Sequence, residues 1–249
     1  MYTKKIPLMT NVSSDNKPST DPITDAADYV KLAKRTFAGA ENSEQAEPMS
    51  AYMKHKFPFL GIKKPLRSKL TRDLINNYGV PKSEELKEVI RLLFDEEQRE
   101  YHYLALDLFE KHIKQIKPGD VELIEWMIIN HSWWDTVDLI ASKFAGTYFL
   151  KFPDHMHHIT REWNEHENMW LRRTSIIFQL SYKQRTDVEL LFSYCANRMH
   201  EKEFFIQKAI GWALRQYART DADKVKNFVL TNNLAPLSKR EALKHIGSI

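Results

Sequence analysis

Glycine is scarce in this chain, at 7 of 249 residues. So few leave little material for tight hairpins or for the glycine-rich loops that cradle phosphates. Cysteine is scarcer, at one, which excludes a disulfide framework and a cysteine-based zinc site. That residue, Cys195, closes the apolar run Leu190-Leu191-Phe192-Ser193-Tyr194-Cys195 and reads as a small core residue rather than a nucleophile. No stretch approaches the ~18 consecutive apolar residues of a membrane span. Lys4 and Lys5 are not followed by the apolar run of about 7–15 residues that a secretory signal needs. These absences predict a cytoplasmic protein that does not enter a membrane.

What is present is helical. Leu, Ala, Lys, Glu, Ile and Met recur at a period near 3.6, which predicts helices over 24–39, 45–56, 65–78, 83–94, 98–116, 119–131, 133–144, 155–165, 168–182, 187–200, 203–218, 221–231 and 238–247. The breaks carry turn residues: Gly61, Gly79-Val80-Pro81, Lys117-Pro118-Gly119, Phe152-Pro153-Asp154 and Leu234-Ala235-Pro236. Residues 1–22 are rich in Asn, Ser, Thr, Asp and Pro without apolar periodicity, so a flexible tail is expected there. No Gly/Ser-rich linker follows it, and residues 23–249 are expected to form a single domain.

Charge is unevenly spread. Residues 172–249 hold 14 Lys and Arg against 7 Asp and Glu, leaving them at +7 while the remainder of the +4 chain stands at −3. An anionic polymer as partner and a merely solvated basic surface both fit such a distribution. A degenerate repeat sharpens it. Trp170-Leu171-Arg172-Arg173, Phe205-Ile206-Gln207-Lys208 and Leu237-Ser238-Lys239-Arg240 each place a basic residue three positions after a large apolar one. Arg173, Lys208 and Arg240 are thus 35 and 32 residues apart, a helix-pair period slightly short of the usual HEAT repeat. Stacked helix pairs would align these side chains along one wall, a suitable track for phosphates.

Two constellations carry candidate chemistry. In Ser132-Trp133-Trp134-Asp135-Thr136-Val137-Asp138, helical spacing sets Trp134 beside Asp138, while Trp133, Val137 and Ile140 form the stripe a helix buries. Over 203–218, Lys208, Trp212 and Arg215 share a face, and Phe205, Ile206, Ala209, Ile210, Ala213 and Leu214 supply the core side. An aromatic among cations suits a sugar or base flanked by phosphates, and a Trp at a core edge is the plainer alternative. Trp126 and Trp163 are expected in the core, and Tyr101 and Tyr103 either line or support the cleft. Asp154-His155-Met156-His157-His158 spreads its imidazoles over different helix faces with no further ligand at metal spacing, so no metal and no cofactor are expected. Lys208 shows no sign of a lowered pKa in its surroundings and is taken as a phosphate contact rather than a Schiff-base amine.

The chain resembles the AlkD-type DNA alkylation-repair glycosylases, a family built from HEAT-like repeats. The likeness runs from Ala46 to Ile246, carried by the strings 46–54, Phe59-Leu60-Gly61-Ile62, 132–138, Trp170-Leu171-Arg172-Arg173, 203–215 and 234–242. It implies an all-α HEAT-like helical-repeat solenoid with a concave basic face that excises N3- and N7-alkylated purines from double-stranded DNA, engaging the backbone without flipping the base. Residue by residue it implies that Asp138 stabilises the oxocarbenium-like sugar and positions water. Trp134 and Trp212 would flank that carboxylate, Arg173 would hold a phosphate next to the lesion, and Tyr52 would close the cleft. Lys208, Arg215 and Arg240 are the further DNA contacts expected from the basic row. A monomer is expected. A non-catalytic helical-repeat module that recognises distorted DNA by shape is the alternative; a carboxylate facing a polyanion argues against it, because that charge opposes binding.

Overall fold

The computed structural model describes residues 25–246, so the segment 1–22 expected to be a tail lies outside the described residues. Those residues form helices α1 (Ala26–Ala38), α2 (Ser43–Tyr52), α3 (Lys64–Tyr78), α4 (Ser83–Phe94), α5 (Arg99–His112), α6 (Val121–Ile129), α7 (Trp134–Leu139), α8 (Gly146–Lys151), α9 (Pro153–Glu165), α10 (Met169–Ile177), α11 (Val188–Arg198), α12 (Phe204–Tyr217), α13 (Ala222–Thr231) and α14 (Pro236–Leu243), with no strand among them. The boundaries follow local chemistry. Asn42, Asn168, Asp187 and Asp221 cap α2, α10, α11 and α13 by accepting from backbone N–H groups of the first turn, at 3.1, 2.8, 3.0 and 3.0 Å. Proline begins α9 and α14, where its missing N–H leaves nothing unsatisfied. The long helices expected over 98–116 and 168–182 stop earlier, at His112 and Ile177, and finish in turns that include the 3₁₀ segments Ile113–Gln115 and Lys183–Arg185.

Packing sorts the helices into two rows. α3, α5, α7, α10, α12 and α14 each touch the next and form an inner row. Backing them, α4, α6, α9, α11 and α13 each pack on the inner-row helix that follows in sequence. This is the order of helix pairs in a solenoid, and it places the second helix of each pair on one wall. One buried cluster runs from Ala26 to Ala242, with Trp163, Phe94, Phe144 and Phe178 among its largest members. Removing a side chain of that size from water contributes about 1.5–3 kcal/mol. A smaller cluster of Met53, Phe57 and Phe59 lies under Met49, Tyr103, Trp133 and Trp134. It is the mounting for α2, which buries no residue of its own.

Two irregularities shape the wall. Gly61 has φ +84°, and a Cβ there would stand 1.9 Å from the Asn42 carbonyl oxygen, so only glycine fits where the loop crosses the start of α2. Between α7 and α8 the chain makes a turn of π-helix, Ile140–Ala145, within one continuous helical rod. Trp133, expected inside the helix, is instead extended at φ −157° as the residue before α7. From there its ring reaches Trp170 and Phe205, at centroid distances of 5.8 and 5.1 Å.

Candidate active site

The site begins with how α7 is held. Arg99 is fully buried at the start of α5, and all five of its N–H donors are occupied. Two go to Asp135 as a fork, at 2.9 and 2.7 Å. The others reach Thr136 Oγ1 at 2.9 Å, the His131 carbonyl at 2.7 Å and His102 Nδ1 at 2.9 Å. Burial and the adjacent guanidinium lower the His102 pKa from 6.5 to about 3. The imidazole is therefore neutral, accepting at Nδ1 and donating from Nε2 to the Glu96 carbonyl at 2.9 Å. The Tyr103 hydroxyl, kept protonated by burial and by the neighbouring carboxylate, donates to Asp135 at 2.6 Å. Arg99 also stacks 3.8 Å from the Phe57 ring, and Glu100 accepts from the Leu60, Gly61 and Ile62 amides at 2.9–3.0 Å. Consecutive residues of α5 thus tie down both the first turn of α7 and the loop beneath α2.

That turn presents Trp134 and Asp138 to a cavity of about 340 Å³, lined also by Arg173, Phe204, Phe205, Lys208, Trp212 and Arg215. Asp138 is 19% exposed, and Arg173 behind it is 5% exposed. The guanidinium forks onto the carboxylate, Nε to Oδ1 at 2.7 Å and Nη2 to Oδ2 at 2.9 Å, and Nη1 donates to the Phe205 carbonyl. A bidentate grip fixes the carboxylate plane and leaves its outer lone pairs toward the cavity. Tyr52, 67% exposed at the end of α2, meets Trp134 edge to face at 5.8 Å. On the other side Glu241 of α14 pairs with Lys208 at 3.0 Å and with Arg215. Hydrogen bonds from those two cations hold the Glu241 carboxyl below its usual range. Gly211 makes this possible, since a Cβ on it would lie 2.5 Å from the Glu241 Cβ.

Of the residues singled out from the sequence, Trp134, Asp138, Arg173, Lys208, Trp212 and Arg215 share this cavity, and Tyr52 stands at its rim. Arg240 does not: it is exposed on α14, outside the cavity lining. The row of three basic positions is therefore two cavity residues and one outlying surface residue. Glu241, Arg99 and Asp135 escape sequence reading, since each looks like an ordinary surface charge on its helix. Phe204, 58% exposed, likewise carries no mark that sets it apart within its string. Trp163 and Cys195 are buried as expected, and Tyr103 supports the cleft through Asp135. His155 is engaged by the Tyr148 hydroxyl at 2.5 Å, and among the described residues no group of three His, Cys, Asp or Glu is placed to hold a metal ion. No described helix is long and apolar enough to cross a membrane.

Comparison with known proteins bears on what such a wall serves. A sequence profile described as DNA alkylation repair enzyme matches residues 33–246. Among solved structures, one described as "Predicted DNA alkylation repair enzyme from Enterococcus faecalis" is similar at 34% identity and a TM-score of 0.79, covering 84% of this chain and 98% of its own. No curated protein matches. The profile spans all the helices that build the cavity, and the solved structure follows the same path over nearly its whole length, so the chain belongs to the DNA alkylation repair enzyme family.

Proposed function

We propose that the protein is a monofunctional DNA glycosylase that hydrolyses the N-glycosidic bond of N3- and N7-alkylated purines in duplex DNA, working as one domain over residues 23–249. The observation that carries this reading is the Asp138 carboxylate, held by Arg173 in a cavity shared with Trp134 and Trp212. Alkylation at N3 or N7 leaves the purine cationic, so the departing base needs no protonation by a general acid. The remaining demand is to stabilise an oxocarbenium-like sugar. A fixed carboxylate meets it electrostatically, the indole faces add cation–π attraction, and the outer lone pairs of Asp138 can accept from an attacking water.

Arg173 acts mainly as the support of Asp138 in this reading, with two N–H groups left over for a phosphate. Lys208 and Arg215, steadied by Glu241, hold further phosphates beside the lesion, and Arg240 lies beyond them. Tyr52 closes the rim against the sugar. The base stays stacked, because the cavity is lined for a backbone and not built as an enclosed slot for a purine. A shape-reading module without catalysis would use Asp138 only to orient Arg173, and the pair would cancel a cation otherwise available to phosphate.

The test is release of free N7-methylguanine from a methylated duplex at enzyme excess. Wild type should release it, and Asp138→Asn should be slower by about 10²–10³. The asparagine offers Arg173 one acceptor in place of two, so the variant's melting temperature is measured alongside. No release by a folded wild type that binds the duplex would sink the glycosylase reading in favour of the binding module.

A further inference from the structure

The centre of the cleft is close to electrically balanced, although residues 172–249, which supply most of it, carry +7. Arg173, Lys208 and Arg215 bring three cations, Asp138 and Glu241 bring two carboxylates, and each of these groups is ion-paired. Asp138 has a use there as the candidate stabiliser of the sugar. Glu241 has none in that chemistry: it is not among the residues that line the cavity, and it reaches the two cations from α14. We propose that Glu241 is a built-in competitor of DNA phosphate for Lys208 and Arg215, which limits how tightly, and for how long, the protein holds a duplex. The inference rests on the reading that duplex DNA occupies the cleft, and deepens it with a residue that weakens that binding.

The contact takes up donors that a phosphate needs. Glu241 Oε1 lies 3.0 Å from Lys208 Nζ, and Oε2 accepts from Arg215 Nη1. The same Nη1 also donates to the Glu241 carbonyl at 3.4 Å, so that nitrogen is turned toward α14. A phosphate oxygen on either cation therefore replaces a carboxylate oxygen or sits close beside one, and like charges that near in a partly dry cleft oppose each other. Hydrogen bonds from Lys208 and Arg215 keep the Glu241 carboxyl below its usual range. It is thus charged at neutral pH, and protonation does not relieve the competition.

Helix α14 has other means of docking. Ser238 Oγ donates to the Gln207 carbonyl at 2.9 Å, and Ala242 is fully buried. Gly211 lets α12 and α14 close until an added Cβ would stand 2.5 Å from the Glu241 Cβ and 2.9 Å from the Ser238 carbonyl oxygen. The backbone of Glu241 is fixed by these contacts, while its side chain can leave by turning about its own torsions. Nor do the cations need it for their own sake. A fully buried cation would require a fixed partner, but the side chains of Lys208 and Arg215 are 35% and 22% exposed.

The cost falls on damaged and intact duplex alike, so it lowers both affinities and leaves their ratio unchanged. What it shortens is the time spent on intact duplex and on the abasic product, since changes at one interface act mainly on dissociation.

The experiment compares wild type, Glu241→Gln and Glu241→Ala with Glu162→Gln, which makes the same change of net charge at an exposed position of α9 in the backing row. Affinity for an undamaged duplex is followed by fluorescence anisotropy from about 50 to 200 mM salt. Both Glu241 variants should bind about tenfold more tightly at the low end, the size of one partly exposed like-charge contact. The slope of log affinity against log salt should steepen by about 0.9, as one further phosphate is neutralised. Glutamine keeps an acceptor for Arg215, and alanine keeps the Cβ beside Gly211 in a residue that favours helix. Melting temperatures identify a variant that has lost α14, and the other then decides. A role confined to anchoring α14 predicts the reverse, weaker binding with a lower Tm. Binding by the folded variants equal to or weaker than wild type, equal tightening in Glu162→Gln, or loss of α14 in both Glu241 variants would overturn the proposal. Release of N7-methylguanine by wild type is measured in parallel: its absence would refute the glycosylase reading, while the affinities still decide what Glu241 does.

Discussion

Replacing Arg99 by methionine should be among the most damaging single changes in this protein. The substitution retains much of the volume and the contact with Phe57, so what it removes is the charge and the donors. Five acceptors lose their partner at once, two of them on a carboxylate that is itself 7% exposed. Breaking one side of a buried ion pair typically costs about 3–5 kcal/mol, because the remaining charge stays buried without compensation. For a chain of this length each kcal/mol lowers Tm by about 2–4 °C, so a fall of roughly 6–20 °C is expected. Adding Asp135→Asn removes the orphaned charge and keeps an acceptor for Tyr103. The double variant should regain about 0.5–3 kcal/mol over the sum of the singles. It should not recover fully, since Thr136, the His131 carbonyl and His102 remain without their donor. Urea and thermal unfolding measure both numbers. Base release below the variant's Tm supplies the functional side, where misplacing Trp134 and Asp138 by about 1 Å should approach a 10²-fold loss. A loss under about 1 kcal/mol for Arg99→Met, or strict additivity in the double variant, would refute the view that this pair organises the turn.

The same network makes stability depend on pH. With the folded-state pKa of His102 lowered to about 3, its contribution is fully present above the unfolded value near 6.5 and is lost as the pH falls from there toward 3, at up to about 1.4 kcal/mol per pH unit. His102→Gln should flatten that limb in unfolding experiments run at a series of pH values, and an unchanged limb would show that other groups carry it. Gly211→Ala sets two effects against each other: about 1 kcal/mol of gained helix propensity against overpacking on Glu241 and Ser238, at about 1–3 kcal/mol. The backbone oxygen of Ser238, 2.9 Å from the added Cβ, cannot swing aside, so net destabilisation is expected. A rise in Tm would mean that α14 yields easily.

The helices were legible from the chain where their ends are chemical events, as with Asn168, Asp187 and Asp221, the caps of α10, α11 and α13; Pro153 and Pro236 read as breaks before helices expected from 155 and 238, yet they stand in the first turns of α9 and α14. The cavity residues were legible because each constellation lies within one or two turns of a single helix. Helical spacing alone puts Trp134 beside Asp138, and Lys208 beside Trp212 and Arg215. What spacing does not convey is partnership between helices. Glu241 meets Arg215 across 26 residues, and Arg99 meets Asp135 across 36. Nothing in either neighbourhood marks which surface-type charge turns inward.

The π turn at Ile140–Ala145 bears on how this protein can change. An α-helix advances about 100° per residue, and a π turn accommodates one residue more than the α ladder has room for. Had the rod from Trp134 to Lys151 been α throughout, the stripe that begins Trp134, Asp138 would have continued through Ala141, Ala145 and Phe149. All three are buried, and Phe149 packs on Trp163 and Phe178. The extra residue works as a phase shifter between two gears on one shaft: the upstream teeth mesh with the cleft and the downstream teeth with the core. Exchanging one small residue for another in this segment leaves the gearing alone. Losing a single residue would relax the turn to ordinary α-helix with its hydrogen bonds intact, yet turn the carboxylate by roughly 100° away from its cavity. For this stretch, chain length is therefore the more tightly constrained quantity, and residue identity the looser one.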